Sequence, residues 1–359
     1  DTGALVKRQR AGDAGAAERA AWDLAARQWR SVSRLAGAVL TGVAAVPGAA
    51  VAARGAADLG RLVLGEDTVP AYVPGLPGGG ARRPRHDDAA AEAVVFASCT
   101  SAMFGPEASG GGAGVPVDGA AGRDGSAGRD GAGVADPVGA SEALRRLLQR
   151  AGVRWRTPAD PGALCCTMPW TSKGMTGGAA AMARRVADDL WAATDAGRLP
   201  VVCDAASCTE GLSTVVAAAR EEGRELRVVD ALAYVAGTVL PRLRERGLLG
   251  EPAWGTAVLH PTCATRKAGL DPALTALASA VARDVRVPAA WGCCGFAGDR
   301  GLLHPELTAA ATAGEAAEVR GIAGDVYLSA NRTCELGMTR ATGRRYVHAL
   351  EALEAATRR

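Results

Sequence analysis

Ala93-Val94-Val95-Phe96-Ala97-Ser98-Cys99-Thr100 and Ala257-Val258-Leu259-His260-Pro261-Thr262-Cys263-Ala264 are two versions of one pattern, an apolar run of strand length that ends at a cysteine. Two further landmarks recur behind them in the same order. The adjacent pair Cys165-Cys166 matches Cys293-Cys294 at an offset of 128, and Cys208-Thr209-Glu210-Gly211-Leu212 matches Cys334-Glu335-Leu336-Gly337-Met338 at an offset of 126. Three landmarks in one order argue for a duplication. The first landmark is offset by 164, a surplus that the Gly/Asp/Ala-rich stretch Ser109–Gly139 largely accounts for. Its composition, with a near-repeat at 122–131, is that of a flexible insert.

Both copies predict the same alternation. In the second, a strand over 257–261 leads to Cys263; Asp271 and Pro272 open a helix to about Arg283; a strand over 285–287 precedes the cysteine pair; and a helix over 307–319 feeds a strand over 326–328 before Cys334. In the first, the counterparts are a strand over 94–97, a helix over 141–150, a strand over 153–155, a helix over 177–195 and a strand over 199–203. Alternating strands and helices predict an α/β protein of two duplicated Rossmann-like units with small parallel sheets. Ligands of such sheets gather beyond the C-terminal strand ends, where the cysteines of each copy fall.

Ahead of the repeats, Ala14–Arg34 carries Trp22, Ala25, Ala26 and Trp29 at helical spacing and reads as an amphipathic helix. Leu35–Ala53 has 19 residues without a charge, the lower end of spanning length, yet it is rich in Ala and Gly, contains Pro47 and lies between Arg34 and Arg54. A buried or membrane-surface helix fits it better than a spanning one. Pro70, Pro74, Pro77 and Gly78–Gly80 mark a linker. The expected organisation is a helical segment over 1–66, a linker over 67–92, a first unit over 93–247 with a Gly-rich insert at 108–140, and a second unit over 248–359.

At 359 residues the chain has room for two or three domains. The 41 basic and 38 acidic residues leave a net charge of +3, and 48% of residues are apolar, which excludes a collagenous, wholly disordered or strongly nucleic-acid-binding chain. Aromatics make up 4%, too few for a stacking platform for single-stranded nucleic acid. No serine/histidine/aspartate arrangement or P-loop supports a hydrolase or NTPase.

The nine cysteines lie at 99, 165, 166, 203, 208, 263, 293, 294 and 334. An odd count with two adjacent pairs is no secreted disulfide framework, and the opening residues do not read as an export signal, so a cytoplasmic protein that keeps its thiols for metal or redox chemistry is expected. The sets are Cys99, Cys165, Cys166 and Cys208, with Cys203 near, and Cys263, Cys293, Cys294 and Cys334. Such sets suit zinc or an iron–sulfur cluster. Adjacent cysteines chelate one small tetrahedral ion awkwardly and reach two irons of a larger cluster more easily. Zinc, thiol/disulfide exchange and simple core packing are the competing readings.

With these residues in hand, Cys293-Cys294-Gly295 between Cys263 and Cys334 resembles the cysteine-rich CCG domain, which occurs twice in the cysteine-rich chain of heterodisulfide reductase and in the iron–sulfur subunits of glycolate, L-lactate and anaerobic glycerol-3-phosphate oxidation. His260-Pro261-Thr262-Cys263, the run from Gly292 to Gly301, the run from Ser329 to Met338, the run from Cys165 to Gly174, and Pro200-Val201-Val202-Cys203-Asp204 resemble more narrowly the C-terminal region of the fused flavin and iron–sulfur D-lactate dehydrogenases. Asp1-Thr2-Gly3 resembles the residues that follow the last Cys-Pro of that family's ferredoxin-like module. The resemblance implies an oxidoreductase whose FAD and ferredoxin-like domains lie outside this sequence. This portion would have no substrate-oxidising activity of its own and no catalytic side chain. It would hold iron–sulfur clusters of the four-iron four-sulfur type on the nine cysteines and pass electrons to a quinone or cytochrome-side acceptor. Location would be cytoplasmic or peripheral on the inner face of the cell membrane, with no nucleic acid as partner.

The alternatives are a glycolate or glycerol-3-phosphate oxidation subunit, a zinc-stabilised docking module and a thiol/disulfide reductase. The sequence departs from the pattern at Thr167, where the motif has Gly, and at Ser329, opposite Cys203; heterodisulfide reductase closes each copy with Cys-x2-Cys, which neither copy has. His260, Lys173, Asp299 and Arg300 stand next to the cysteines in sequence, where they would tune or balance the charge of a bound cluster. His304 is a further histidine of the second repeat, and Trp155, Trp170 and Trp291 read as core or shielding residues.

Overall fold

The structure, a computed structural model, describes residues 10–12, 15–73, 76–106 and 133–358. Most of the Gly-rich insert, and the chain before Arg10, lie outside the described residues. Three helices come first: α1 (Ala16–Arg27), α2 (Trp29–Ala45) and α3 (Ala49–Leu64). The uncharged stretch 35–53 is therefore not one helix. It breaks at Val46-Pro47-Gly48, where proline cannot donate to the preceding turn and Gly48 takes φ 81°. No helix among the described residues is long and apolar enough to cross a membrane.

The first unit comprises β1 (Ala93–Phe96), α4 (Cys99–Met103), α5 (Ala140–Arg150), β2 (Trp155–Arg156), α6 (Met168–Lys173), α7 (Thr176–Ala193), β3 (Val201–Cys203), α8 (Ala206–Glu221), β4 (Val228–Asp230), α9 (Ala231–Tyr234) and α10 (Leu240–Glu245). The second comprises β5 (Trp254–Leu259), α11 (Cys263–Lys267), α12 (Asp271–Val281), β6 (Ala282–Arg286), α13 (Arg300–Leu303), α14 (Pro305–Arg320), β7 (Val326–Ser329), α15 (Arg332–Thr342), β8 (Tyr346–His348) and α16 (Ala349–Ala356). The sheet orders are β2-β1-β3-β4 and β6-β5-β7-β8, parallel throughout. The expected pair of Rossmann-like units is present, and the duplication extends to register: Val94 opposite Val201 corresponds to Val258 opposite Tyr327.

Several elements differ from expectation, beginning with the single helix read over Ala14–Arg34, which is divided at Gln28 into α1 and α2. The helix opened by Asp271 stops at Val281 rather than near Arg283, because Ala282 and Asp284 pair with Trp254 and Thr256 and draw the chain into strand early. The fourth strand of each sheet is short and has no counterpart in the expected alternation; Asp230 and His348, at their ends, cap the following helices by accepting from the N–H of Leu232 and Leu350.

One apolar core joins the units. Leu144, Leu147 and Leu148 of α5 pack with Leu274 and Leu277 of α12 and with Leu350 and Leu353 of α16. The segment read as a linker is docked: Gly105 N–H donates to Gly78 O, Gly80 N–H donates to Ala102 O, and a Cβ on Gly79 would lie 2.3 Å from Gly37 O of α2. The glycine run is a close backbone crossing as well as a punctuation mark.

Candidate metal centres

In each unit the cysteines arrive at the C-terminal end of the sheet from three shared places, and in the first unit Cys203 at the end of β3 adds a fourth. The first follows the central strand and opens a short helix: Cys99 behind the cap Ser98, and Cys263 behind Thr262, whose side chain exchanges a reciprocal capping box with Thr265. The adjacent pair lies in the loop beyond the next strand. The last, Cys208 or Cys334, sits in the first turn of α8 or α15.

All nine cysteines are free thiols. In the first centre Cys99 Sγ lies 3.5 Å from Cys165 Sγ and Cys166 Sγ lies 3.1 Å from Cys208 Sγ, while Cys203, at the end of β3, donates to Ala205 O at 3.7 Å and is electrostatically linked to Cys208. The five are buried. In the second, Cys294 Sγ lies 3.0 Å from Cys334 Sγ, and Cys293 is electrostatically linked to Cys263 and Cys294. Cys294 and Cys334 are buried here, and Cys263 and Cys293 are exposed.

The sulfurs titrate as linked sets. The thiols of Cys165 and Cys208 hold Cys166 well below the usual thiol range, while burial raises Cys165 and the Cys166 thiolate raises Cys208. In the second centre the thiols of Cys263 and Cys294 hold Cys293 down at about 2, and both are raised in return. Cys334 falls to about 6 through the thiol of Cys294 and against its burial, with His260 adding to the effect. Burial raises Cys203. Each metal-free centre thus keeps thiolate among protonated thiols, so metal binding must release protons.

A buried glycine lets each last helix approach the adjacent pair. A Cβ on Gly211 would lie 2.6 Å from Cys166 O and 3.1 Å from its Sγ; on Gly337 it would lie 3.3 Å from Thr308 Cγ2 and 3.8 Å from Cys294 Cβ. Thr167 adopts φ 74°, close to the φ 68° of Gly295 at the equivalent place. The departure from glycine therefore leaves the turn intact, in a left-handed conformation, with the buried Thr167 hydroxyl donating to Gly211 O at 3.2 Å.

The surroundings differ between the centres. Arg83 donates to the carbonyls of Leu164 at 2.7 Å, Gly162 at 3.0 Å and Ala97 at 3.2 Å, bracing the approaches to Cys165 and Cys99. Buried Asp204 accepts from Ser98 N–H at 2.7 Å and from the hydroxyls of Ser141 and Ser101, fixing the turn before Cys99. In the second unit α14 supplies carboxylates instead. Glu318 accepts from the N–H groups of Ala289 and Ala290 at 2.8 and 2.7 Å, and buried Glu315 pairs with His260 Nδ1 at 2.8 Å. Trp291 Nε1–H donates to Pro261 O at 2.6 Å. Arg83, Glu315 and Glu318 carry no sequence signal and act through tertiary contacts, whereas Asp204 closes the run Pro200–Asp204 singled out in the sequence.

Of the other residues expected near the centres, Lys173 and Asp299 pair with each other across the two units at 2.8 Å. Arg300 opens α13. His304 bonds to Asp67 at 2.8 Å and to Glu306 at 3.2 Å, tying the N-terminal segment to the second unit. Trp170 is buried against Trp22 and Trp29, so α1 and α2 close one side of the first centre. Phe104 packs with Cys294, Phe296, Cys334 and Leu336, so the first unit shields part of the second centre. His260, Cys294 and Cys334 bring three donor atoms within 4.8 Å of one another, and the sulfur spacings fit a bound metal or cluster.

No curated protein sequence matches the chain significantly. The family described as CCG, cysteine-rich domain, matches it twice, at residues 137–213 and 257–339, a little under half of the chain; each match takes in the adjacent cysteine pair and the last cysteine of its unit, and the second also takes in Cys263.

Proposed function

We propose that this chain is the electron-carrying, iron–sulfur portion of a flavin-dependent 2-hydroxy acid dehydrogenase, with D-lactate as the substrate class. Electrons would come from an FAD domain by way of a ferredoxin-like domain and leave to a quinone or cytochrome-side acceptor. The observation that carries the reading is the duplicated gathering of thiols, with Sγ–Sγ contacts of 3.0–3.5 Å and no disulfide among them. A bound iron–sulfur cluster supplies one-electron chemistry at a potential set by ligands, hydrogen bonds to sulfur and exposure.

The chain's own residues bind and shape. Cys99, Cys165, Cys166, Cys203 and Cys208 would hold one centre, and Cys263, Cys293, Cys294 and Cys334 the other. Ser98 and Thr262 cap the helices that aim the first cysteine of each set. The N–H groups of Met168, Gly295 and Phe296 favour the thiolates of Cys166, Cys293 and Cys294. Trp170 and Phe104 exclude water. The exposed edge at Cys263 and Cys293 offers an approach for an acceptor. Iron, acid-labile sulfide and zinc should be measured on chain purified without oxygen. Iron with matching sulfide, and visible absorption that bleaches on reduction, is expected; stoichiometric zinc without sulfide or colour contradicts the reading.

A further inference from the structure

The two centres differ at a pair of neighbouring strand positions. In the first unit Phe96 lies opposite Cys203 across the β1–β3 ladder. In the second, the equivalents are His260, just beyond β5, and Ser329, at the end of β7. They are still neighbours: His260 N–H donates to Leu328 O at 2.8 Å, and Ser329 Oγ donates to His260 O at 3.0 Å. The serine that stands in the place of the fifth cysteine is thus occupied with backbone. The residue beside it carries an imidazole where the first unit has a phenyl ring.

That imidazole is 1% exposed. Its Nδ1 is held at 2.8 Å by Glu315, itself buried, and its Nε2 is buried with no nitrogen or oxygen partner, the Cys334 sulfur being the group it interacts with. Buried ring nitrogens are normally partnered. A ring nitrogen of His260, Cys294 Sγ and Cys334 Sγ all lie within 4.8 Å of one another. Donor atoms about 2.0–2.3 Å from one ion sit roughly 3.3–4 Å apart, within a small side-chain adjustment of this arrangement. A carboxylate on Nδ1–H fixes the tautomer that leaves Nε2 free to ligate, as in carboxylate–histidine–metal sites.

We infer that His260 is a ligand of the second centre through Nε2, so that a fifth donor supplied by Cys203 on β3 in the first unit is supplied from the adjacent strand in the second. This rests on the iron–sulfur reading above. The second centre then has four thiolates and one neutral imidazole, the first five thiolates. Exchange of thiolate for imidazole raises a cluster's potential, so the second centre is the more oxidising of the two.

The test uses the full chain, purified without oxygen after growth on histidine labelled with nitrogen-15 in the ring, with electron spin echo spectroscopy of the reduced protein. A strong coupling to one ring nitrogen is expected in the wild type. In His260→Cys the coupling disappears, iron content is kept, and the potential of one centre falls. Iron present without a strong histidine coupling overturns the ligand assignment alone, leaving His260 as a hydrogen-bond donor to Cys334. Absence of iron overturns the iron–sulfur reading and this inference with it. The wild-type spectrum decides the matter even if the variant fails to fold.

Discussion

The first centre has five cysteines, all buried, braced by the cation of Arg83 on three carbonyls; the second has four, two of them exposed, braced by the carboxylates of Glu315 and Glu318. The fold beneath them is the same in strand order and register. A duplicated scaffold therefore fixes where donors converge, while the residues one strand or one helix away set charge, exposure and the number of sulfurs. These are the quantities that tune a metal–thiolate centre.

The comparison can be broken most directly at the adjacent pairs. Cys166→Ser should abolish metal binding at the first centre and leave the second, and Cys294→Ser should do the reverse; iron analysis with magnetic resonance would show a partial loss with a different surviving signal in each. Loss of all metal in either variant would mean one shared site. In metal-free protein, Cys293 should alkylate roughly tenfold or more faster than the first set, because it is exposed and held as a thiolate. Mass spectrometry of timed samples reads this.

The glycines sharpen the comparison. Gly211→Ala should destabilise the protein by about 1–3 kcal/mol, since the new methyl meets the backbone carbonyl of Cys166. Gly337→Ala meets side chains rather than backbone, a threonine methyl at 3.3 Å and Phe296 Cδ2 at 3.5 Å, and gains about 1 kcal/mol of helix propensity, so it should be near neutral. Chemical denaturation of both variants checks the difference.

The smallest effect concerns the caps. Burial lowers the pKa of His348, whose Nδ1 accepts from Leu350 N–H. A depressed histidine binds fewer protons folded than unfolded, so stability should fall as pH drops below about 6.5. The equivalent Asp230 is shifted upward by burial and works in the opposite sense, gaining relative stability as pH falls towards its unfolded value near 3.8. His348→Asn replaces the Nδ1 acceptor with a capping oxygen that does not titrate and should reduce the loss of thermal stability between pH 6.5 and pH 5.

The strand–helix alternation, the duplication and the cysteine positions were legible because they rest on local pattern and on self-similarity. β4 and β8 were not, because three-residue strands such as Val228–Asp230 carry no period. The uncharged run 35–53 mimics a single long helix in composition, and only the break at Pro47 divides it. His260 was visible as a neighbour of Cys263, but its buried Nε2 and its Glu315 partner depend on α14 folding back over the strand end, 55 residues away in sequence.

The most direct test of the account is a potentiometric titration of the anaerobically purified chain followed by electron paramagnetic resonance. Two components with separate potentials are predicted, the more positive one missing in Cys294→Ser. One potential shared by all the bound metal, unchanged in that variant, would contradict the claim that one duplicated fold builds two unlike centres.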